Sequence, residues 1–91
     1  MNKILLITTV GCEACKIQEN IIKKAINSYS DKYNVVLETR DKVECKTTCE
    51  RLKITDFPAT IISNGLNEEV IIGTCTKEHL MHLFDEHFVE K

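Results

Sequence analysis

Two cysteines separated by two residues, Cys12 and Cys15, carry the most evident chemistry of this chain. They lie in the stretch TTVGCEACKIQEN, which follows a run of four aliphatic residues, Ile4 to Ile7. A pair with this spacing can supply half of a zinc site, form a structural disulfide, or cycle between dithiol and disulfide in a redox reaction. The spacing alone leaves these three kinds of site open.

Three further cysteines, Cys45, Cys49 and Cys75, raise the total to five. Cys45 and Cys49 are four residues apart and share one helical face with Leu52, and a buried cysteine behaves as a small hydrophobic residue. We therefore favour core packing for this pair, with a second redox pair as the functional alternative, and we interpret Cys75 as a passive residue. The odd total fits extracellular disulfides poorly, so we expect a reducing, cytoplasmic location.

Length and composition restrict the class of partner. A chain of 91 residues supports a single core, so we expect one domain over residues 1–91. The 12 basic and 14 acidic side chains give a net charge of −2 without long runs of one sign, which disfavours nucleic acid as a partner. No apolar stretch approaches the roughly 20 residues of a membrane span, and MNKILLITTV has no signal-peptide cleavage site. We expect a soluble monomer that binds neither nucleic acid nor membranes.

The first half of the chain predicts a strand, a helix and a second strand. Residues 3–10 are continuously apolar at their centre, as in a strand covered on both faces. From Cys12 to about Tyr29, apolar residues recur with helical spacing, and NVVLETR then predicts the second strand. The helical crossover between these strands makes them parallel.

The second half predicts a short helix, a hairpin and a last helix. Lys42 to Leu52 has weak helical spacing, and Ala59 to Ser63 forms a third strand directly after the only proline. An Asn-Gly turn leads to a fourth strand around Val70 to Ile72, and Thr76 is a suitable N-cap for the final helix. The predicted order is β-α-β-α-β-β-α.

This order, with Cys-x-x-Cys opening the first helix and Pro58 opening the third strand, resembles the thioredoxin superfamily. The resemblance spans essentially the whole chain and is strongest in RLKITDFPATIISNGLNEEVIIGTCTKEHLMHLFDEHF. The compact start is more similar to glutaredoxins and to small microbial thioredoxins. The resemblance implies an α/β thioredoxin-like fold, with a four-stranded mixed sheet and helices on both faces, and a thiol-disulfide oxidoreductase activity.

Within this resemblance, Cys12 is the expected nucleophile and Cys15 the resolving thiol. The attacking species is a thiolate, and unpaired amides and the helix dipole at a helix N-terminus favour that anion. Glu13 opposes the thiolate, but an exposed charge is worth only about 0.2–1 kcal/mol, which is less than one pKa unit. The disulfide is itself the redox group, so we expect no other cofactor.

The resemblance also implies how a substrate binds. Pro58 carries a cis peptide bond in the family, and Phe57 then pairs with an extended substrate segment beside Cys12. The implied substrate-binding residues are Gly11, Phe57, Pro58 and Gly73. The implied partners are a disulfide-containing protein substrate and a thioredoxin-reductase-like or other thiol reductant.

Several family features are missing, which keeps other functions open. Gly11 replaces the family tryptophan, Leu6 replaces a buried acid, and GTCTK lacks the residues with which glutaredoxins hold glutathione. One alternative is a zinc or iron–sulfur module that uses Cys12, Cys15, Cys45 and Cys49. Another is a binding or regulatory module with weak redox activity. The three histidines, His79, His82 and His87, lie on the last helix among its charged residues, where we expect a solvated face, so we assign them no metal role.

Overall fold

A computed structural model describes all 91 residues, Met1 to Lys91. It contains four strands, three α-helices and one short 3₁₀-helix. In chain order these are β1 (Asn2–Thr8), α1 (Glu13–Ser28), β2 (Val35–Asp41), the 3₁₀-helix (Lys42–Cys45), α2 (Lys46–Leu52), β3 (Ala59–Ser63), β4 (Glu68–Ile72) and α3 (Lys77–His87). The predicted order β-α-β-α-β-β-α is confirmed. None of the helices combines the length and apolar character needed to cross a bilayer.

The four strands form one mixed sheet in the order β2-β1-β3-β4. β1 is parallel to β2 and antiparallel to β3, and β3 is antiparallel to β4. In this register Thr8 lies opposite Asp41, and Ala59 lies between Ile7 and Ile72. The ends of β1, β2 and β4 and the start of β3 therefore lie at one end of the sheet, next to the turn that carries Cys12.

The two faces of the sheet are covered by different helices. Because side chains alternate along a strand, Ile4 and Leu6 of β1 face the larger core, beneath α1 and α3, while Ile7 faces the smaller one. The smaller core contains Cys45 and Ile54 and lies beneath the 3₁₀-helix and α2. Helices on both faces confirm the predicted architecture.

The largest differences between the structure and the sequence prediction concern three element boundaries. β1 ends at Thr8 rather than Val10, and Gly11 lies in a turn with φ of +72°, a conformation that glycine adopts without strain. The predicted helix from Lys42 to Leu52 is divided in two, because Asp41 and Glu44 form a capping box that begins a separate 3₁₀ turn. β4 begins at Glu68, two residues earlier than predicted.

Hydrogen bonds hold the N-terminal and C-terminal segments together at the end of the sheet opposite the cysteines. The Asn2 side chain donates to the Val89 carbonyl at 2.7 Å and accepts from the Val89 amide at 2.9 Å. Asn64, in the turn between β3 and β4, donates to the carbonyl of His87 at 2.9 Å. The C-terminal residues are thereby fixed beside the start of β1.

Asp85 of α3 is the centre of a polar cluster that joins α3 to the chain after α1. Lys32 and the hydroxyls of Tyr33 and Tyr29 donate to its carboxylate at 2.9, 2.7 and 2.8 Å. These hydrogen bonds, that from Lys32 above all, lower the pKa of Asp85 from 3.8 to about 2. The ionised carboxylate is thus preferred in the folded state.

Asp85→Asn is expected to remove a pH-dependent part of the stability. A carboxyl group with a depressed pKa stabilises the fold fully above its unfolded pKa of about 3.9, and this contribution is lost as the pH falls towards 2. The melting temperatures of the wild type and the variant should therefore differ most at neutral pH and converge near pH 2. Thermal melts followed by circular dichroism from pH 7 to pH 2 measure this difference. A difference in melting temperature that stays constant from pH 7 to pH 2 would contradict the depressed pKa of Asp85. The matched control is Asp31→Asn, at an exposed carboxylate.

Candidate active site

Cys12 and Cys15 form a disulfide at the N-terminus of α1, with their Cα atoms 5.3 Å apart. Cys12 is the N-cap residue, and its Sγ accepts a hydrogen bond from the Cys15 amide at 3.0 Å. Cys12 is partly exposed, whereas only 4% of Cys15 is exposed. One sulfur is thus reachable from solvent and the other lies beneath it.

The surroundings of Cys12 favour negative charge on its sulfur. The first turn of α1 presents unpaired backbone amides and the positive end of the helix dipole. The amide of Cys15 is already directed at the sulfur. Glu13 and Lys16 are both exposed and of opposite charge, so water screens their effects. These contacts suit a thiolate at Cys12 once the disulfide is reduced.

The other predicted site residues lie at the same end of the sheet. The Phe57-Pro58 peptide bond is cis, as the resemblance implies. The Gly73 amide donates to the Pro58 carbonyl at 2.8 Å, which holds the end of β4 against the start of β3. Pro58 is buried, whereas Phe57 and Gly73 are partly exposed. The structure therefore brings Phe57, Pro58 and Gly73 together.

A small pocket of about 200 Å³ lies beside the disulfide. Its lining comes from the end of β1, the following turn, the start of α1 and β2: Thr8, Thr9, Gly11, Cys12, Cys15, Lys16, Glu19 and Thr39. Gly11 is exposed at its rim. This pocket gives solvent and small groups access to the disulfide.

Leu6, at the position of the family's buried acid, is fully buried in the larger core. All Asp and Glu side chains of the chain lie outside the set of buried residues. A proton leaving Cys15 therefore has no buried carboxylate to receive it.

Gln18, one turn after Cys15 in α1, is a buried polar residue that the sequence analysis did not single out. Its side chain is fully buried, donates to Thr60 Oγ1 at 3.0 Å and to Cys75 Sγ at 3.4 Å, and accepts from the Cys75 amide at 3.1 Å. It thereby joins the helix turn after Cys15 to β3 and to the segment after Gly73. The signal was present, since Gln18 continues the buried stripe of α1: Cys15, Gln18, Ile22 and Ala25.

The second pair of cysteines lies in the smaller core. Cys45 is buried and Cys49 packs against the same cluster, and neither forms a disulfide. The pKa of the Cys45 thiol is raised, mainly by burial and to a smaller extent by the nearby Cys49 and Glu44. No three His, Cys, Asp or Glu side chains form a group that could hold a metal ion. The two cysteine pairs therefore do not combine into a metal site. A redox role for Cys45 and Cys49 stays a prediction.

The fold and the cysteine pair together define a thioredoxin-like domain with a Cys-x-x-Cys disulfide at the start of its first helix. The family model described as Thioredoxin matches residues 3–86. The chain belongs to the thioredoxin family. Disulfide-containing proteins are the general class of substrate that this membership implies.

Solved structures share the fold at low sequence identity. A malarial protein has 17% identity and a TM-score of 0.78, over 98% of this chain and 99% of its own. Thioredoxin-2 of the malaria parasite, a component of its protein secretion machinery, has 16% identity and a TM-score of 0.79, over 96% and 84% of the two chains. Oxidised mitochondrial thioredoxin 3 of Saccharomyces cerevisiae has 19% identity and a TM-score of 0.73, over 93% and 77%. No curated protein sequence matches this chain.

Proposed function

We propose that this protein is a dithiol-disulfide oxidoreductase that reduces disulfides in other proteins. The observation that carries the proposal is the asymmetry of the cysteine pair. Cys12 is a partly exposed N-cap whose sulfur accepts an amide hydrogen bond, and Cys15 is buried next to it. An accessible thiolate above a protected second thiol is the arrangement that a two-step exchange requires.

In the first step, the Cys12 thiolate attacks one sulfur of the substrate disulfide. A bond forms between Cys12 and that sulfur, the substrate disulfide breaks, and the second substrate sulfur leaves as a thiolate. In the second step, Cys15 loses its proton and attacks the Cys12 sulfur, which releases the first substrate sulfur. The substrate gains two electrons, its two thiolates take up the Cys15 proton and one proton from water, and the Cys12–Cys15 disulfide is formed.

Proton transfer in the second step does not pass through a buried acid. Because Leu6 occupies that position, the Cys15 proton moves to the departing substrate thiolate or to water in the adjacent pocket. A thioredoxin-reductase-like or other thiol reductant then returns the pair to the dithiol. Cytoplasmic reducing conditions suit this direction of electron flow.

The substrate segment binds beside Phe57 in this proposal. In it, Gly11, Phe57, Pro58 and Gly73 form the substrate surface around the cysteine pair, and the partly exposed Phe57 offers its backbone to an extended chain. The hydrogen bond from Gly73 to Pro58 supports this surface, because it fixes the two loops relative to each other.

Thiol counting and insulin reduction test the proposed function. The reduced protein has five titratable thiols after denaturation, and mild oxidation should remove two, leaving the three free cysteines. In the presence of dithiothreitol, the protein should accelerate the precipitation of reduced insulin well above the rate with dithiothreitol alone. An unchanged thiol count, or insulin reduction at the background rate, contradicts the proposal.

A further inference from the structure

A groove of about 450 Å³ lies on the α2 side of the sheet, between the 3₁₀-helix, α2 and the segment before Pro58. We call it the α2 groove. Its apolar lining comes from Val43, Cys49, Ile54 and Phe57. Val43 is 78% exposed, so most of its side chain is open to contact with a partner. The groove thus offers apolar surface to a partner.

Three lysines surround this apolar lining. Lys42, Lys46 and Lys53 all border the groove, whereas Glu50 is the only acidic residue in its lining. None of the three lysines forms an ion pair, although the neighbouring arginines Arg40 and Arg51 both do. With three positive charges and one negative, the groove has a local charge of +2 on a protein whose net charge is −2.

The α2 groove reaches the cis peptide bond that the proposed substrate surface includes. Phe57 lines the groove, and its peptide bond with Pro58 is the cis bond. Lys42 Nζ lies 5.8 Å from the centre of the Phe57 ring, so one positive charge of the groove lies beside Phe57. A chain that lies along Phe57 and extends towards α2 enters the groove.

We propose that the α2 groove binds an acidic segment of the protein substrate, next to the disulfide that Cys12 attacks. The segment would place carboxylates near the unpaired lysines and an aliphatic side chain against Val43 and Ile54. This inference rests on the proposed function and adds to it the substrate class: proteins with Asp and Glu near the reactive disulfide. The expected gain is mainly in association rate, because opposite charges steer encounter.

Two disulfide peptides test the inference. One carries Asp, Glu and a leucine beside its disulfide, and the other carries lysines at the acidic positions. The reduced protein should react with the acidic peptide on the order of tenfold faster at low salt, and added NaCl should shrink the difference. Stopped-flow measurement of the second-order rate constants gives the comparison.

A pair of charge-matched variants locates the effect. K46E/K53E reverses two charges of the groove and should abolish the preference for the acidic peptide. K24E/K91E makes the same change in net charge at exposed residues of α1 and the C-terminus, and it should keep the preference. Equal reaction of the two peptides with the wild type, or equal loss in both variants, overturns the inference.

Hydroxyethyl disulfide separates this inference from the proposed function. It is small and uncharged, so all the proteins should reduce it at the wild-type rate if the dithiol is active. Reaction with hydroxyethyl disulfide but no peptide preference rejects the groove alone. No reaction with hydroxyethyl disulfide rejects the proposed function. Concentration-dependent dimers in sedimentation that disappear in K46E/K53E would assign the groove to a second copy of the chain, which also overturns the inference.

Discussion

Cys12→Ser is expected to abolish disulfide reduction, with a fall in rate on the order of a thousandfold or more, because a serine hydroxyl is not ionised at neutral pH and attacks sulfur poorly. Cys15→Ser is expected to act differently. Its Cys12 is still present as the N-cap of α1 and still reacts with the substrate disulfide, but nothing resolves the product. This variant should stop at a covalent complex with its substrate.

Mass spectrometry distinguishes the two variants. After incubation with a disulfide peptide, Cys15→Ser should show the added mass of one peptide strand, which dithiothreitol removes, and Cys12→Ser should show none. The two variants are matched controls for each other, since each loses one sulfur from the same disulfide. A stable adduct on Cys12→Ser instead would make Cys15 the nucleophile and contradict the roles inferred from their exposure.

Gln18→Leu is expected to destabilise the protein by about 2–4 kcal/mol, because it leaves one buried and one part-buried polar group without partners, and a lost partner costs about 1–3 kcal/mol for a buried group. The groups concerned are the Thr60 hydroxyl and the Cys75 amide. Such a loss is a large fraction of the roughly 5–14 kcal/mol expected for a domain of this size. Urea unfolding followed by circular dichroism measures it.

A second substitution tests whether hydrogen bonding is the cause. Thr60→Val removes the hydroxyl that Gln18→Leu leaves unpaired, so the double variant should be more stable than the two single effects add up to. The double variant should regain only part of the lost free energy of unfolding, since the Cys75 amide stays without its partner. Strict additivity would indicate that Gln18 acts only through packing volume.

Much of the fold was predictable because the strongest sequence signals are local. The aliphatic run at Ile4 to Ile7, the helical spacing after Cys12 and the proline before Ala59 each determine one element. The resemblance to thioredoxins depends on the order of these signals, and the family match over residues 3–86 confirms it. The boundary between the 3₁₀-helix and α2 was not predictable, because the capping box of Asp41 and Glu44 competes with a continuous helix.

The candidate site was predictable only in part. Cys12, Cys15 and Pro58 stand in a recognisable pattern. The hydrogen-bond partners of Gln18, in contrast, are Thr60 and Cys75, which are distant from it in the sequence. A glutamine within an apolar stripe is easily taken for a surface residue until those partners are known. The α2 groove was hidden for a similar reason, since its lysines are unremarkable until the fold places Phe57 beside Lys42.

The two hydrogen bonds between Asn2 and Val89 affect how other molecules can be attached to this protein. Asn2 begins β1, at the opposite end of the sheet from the cysteines, and α3 runs back to the same place. A fusion partner, a surface or an affinity tag joined at either terminus would therefore leave Cys12 open to collision with large substrates. The same proximity makes the chain a good subject for circular permutation, with a short linker between the present termini and a new break in the exposed turn at Gly65 and Leu66.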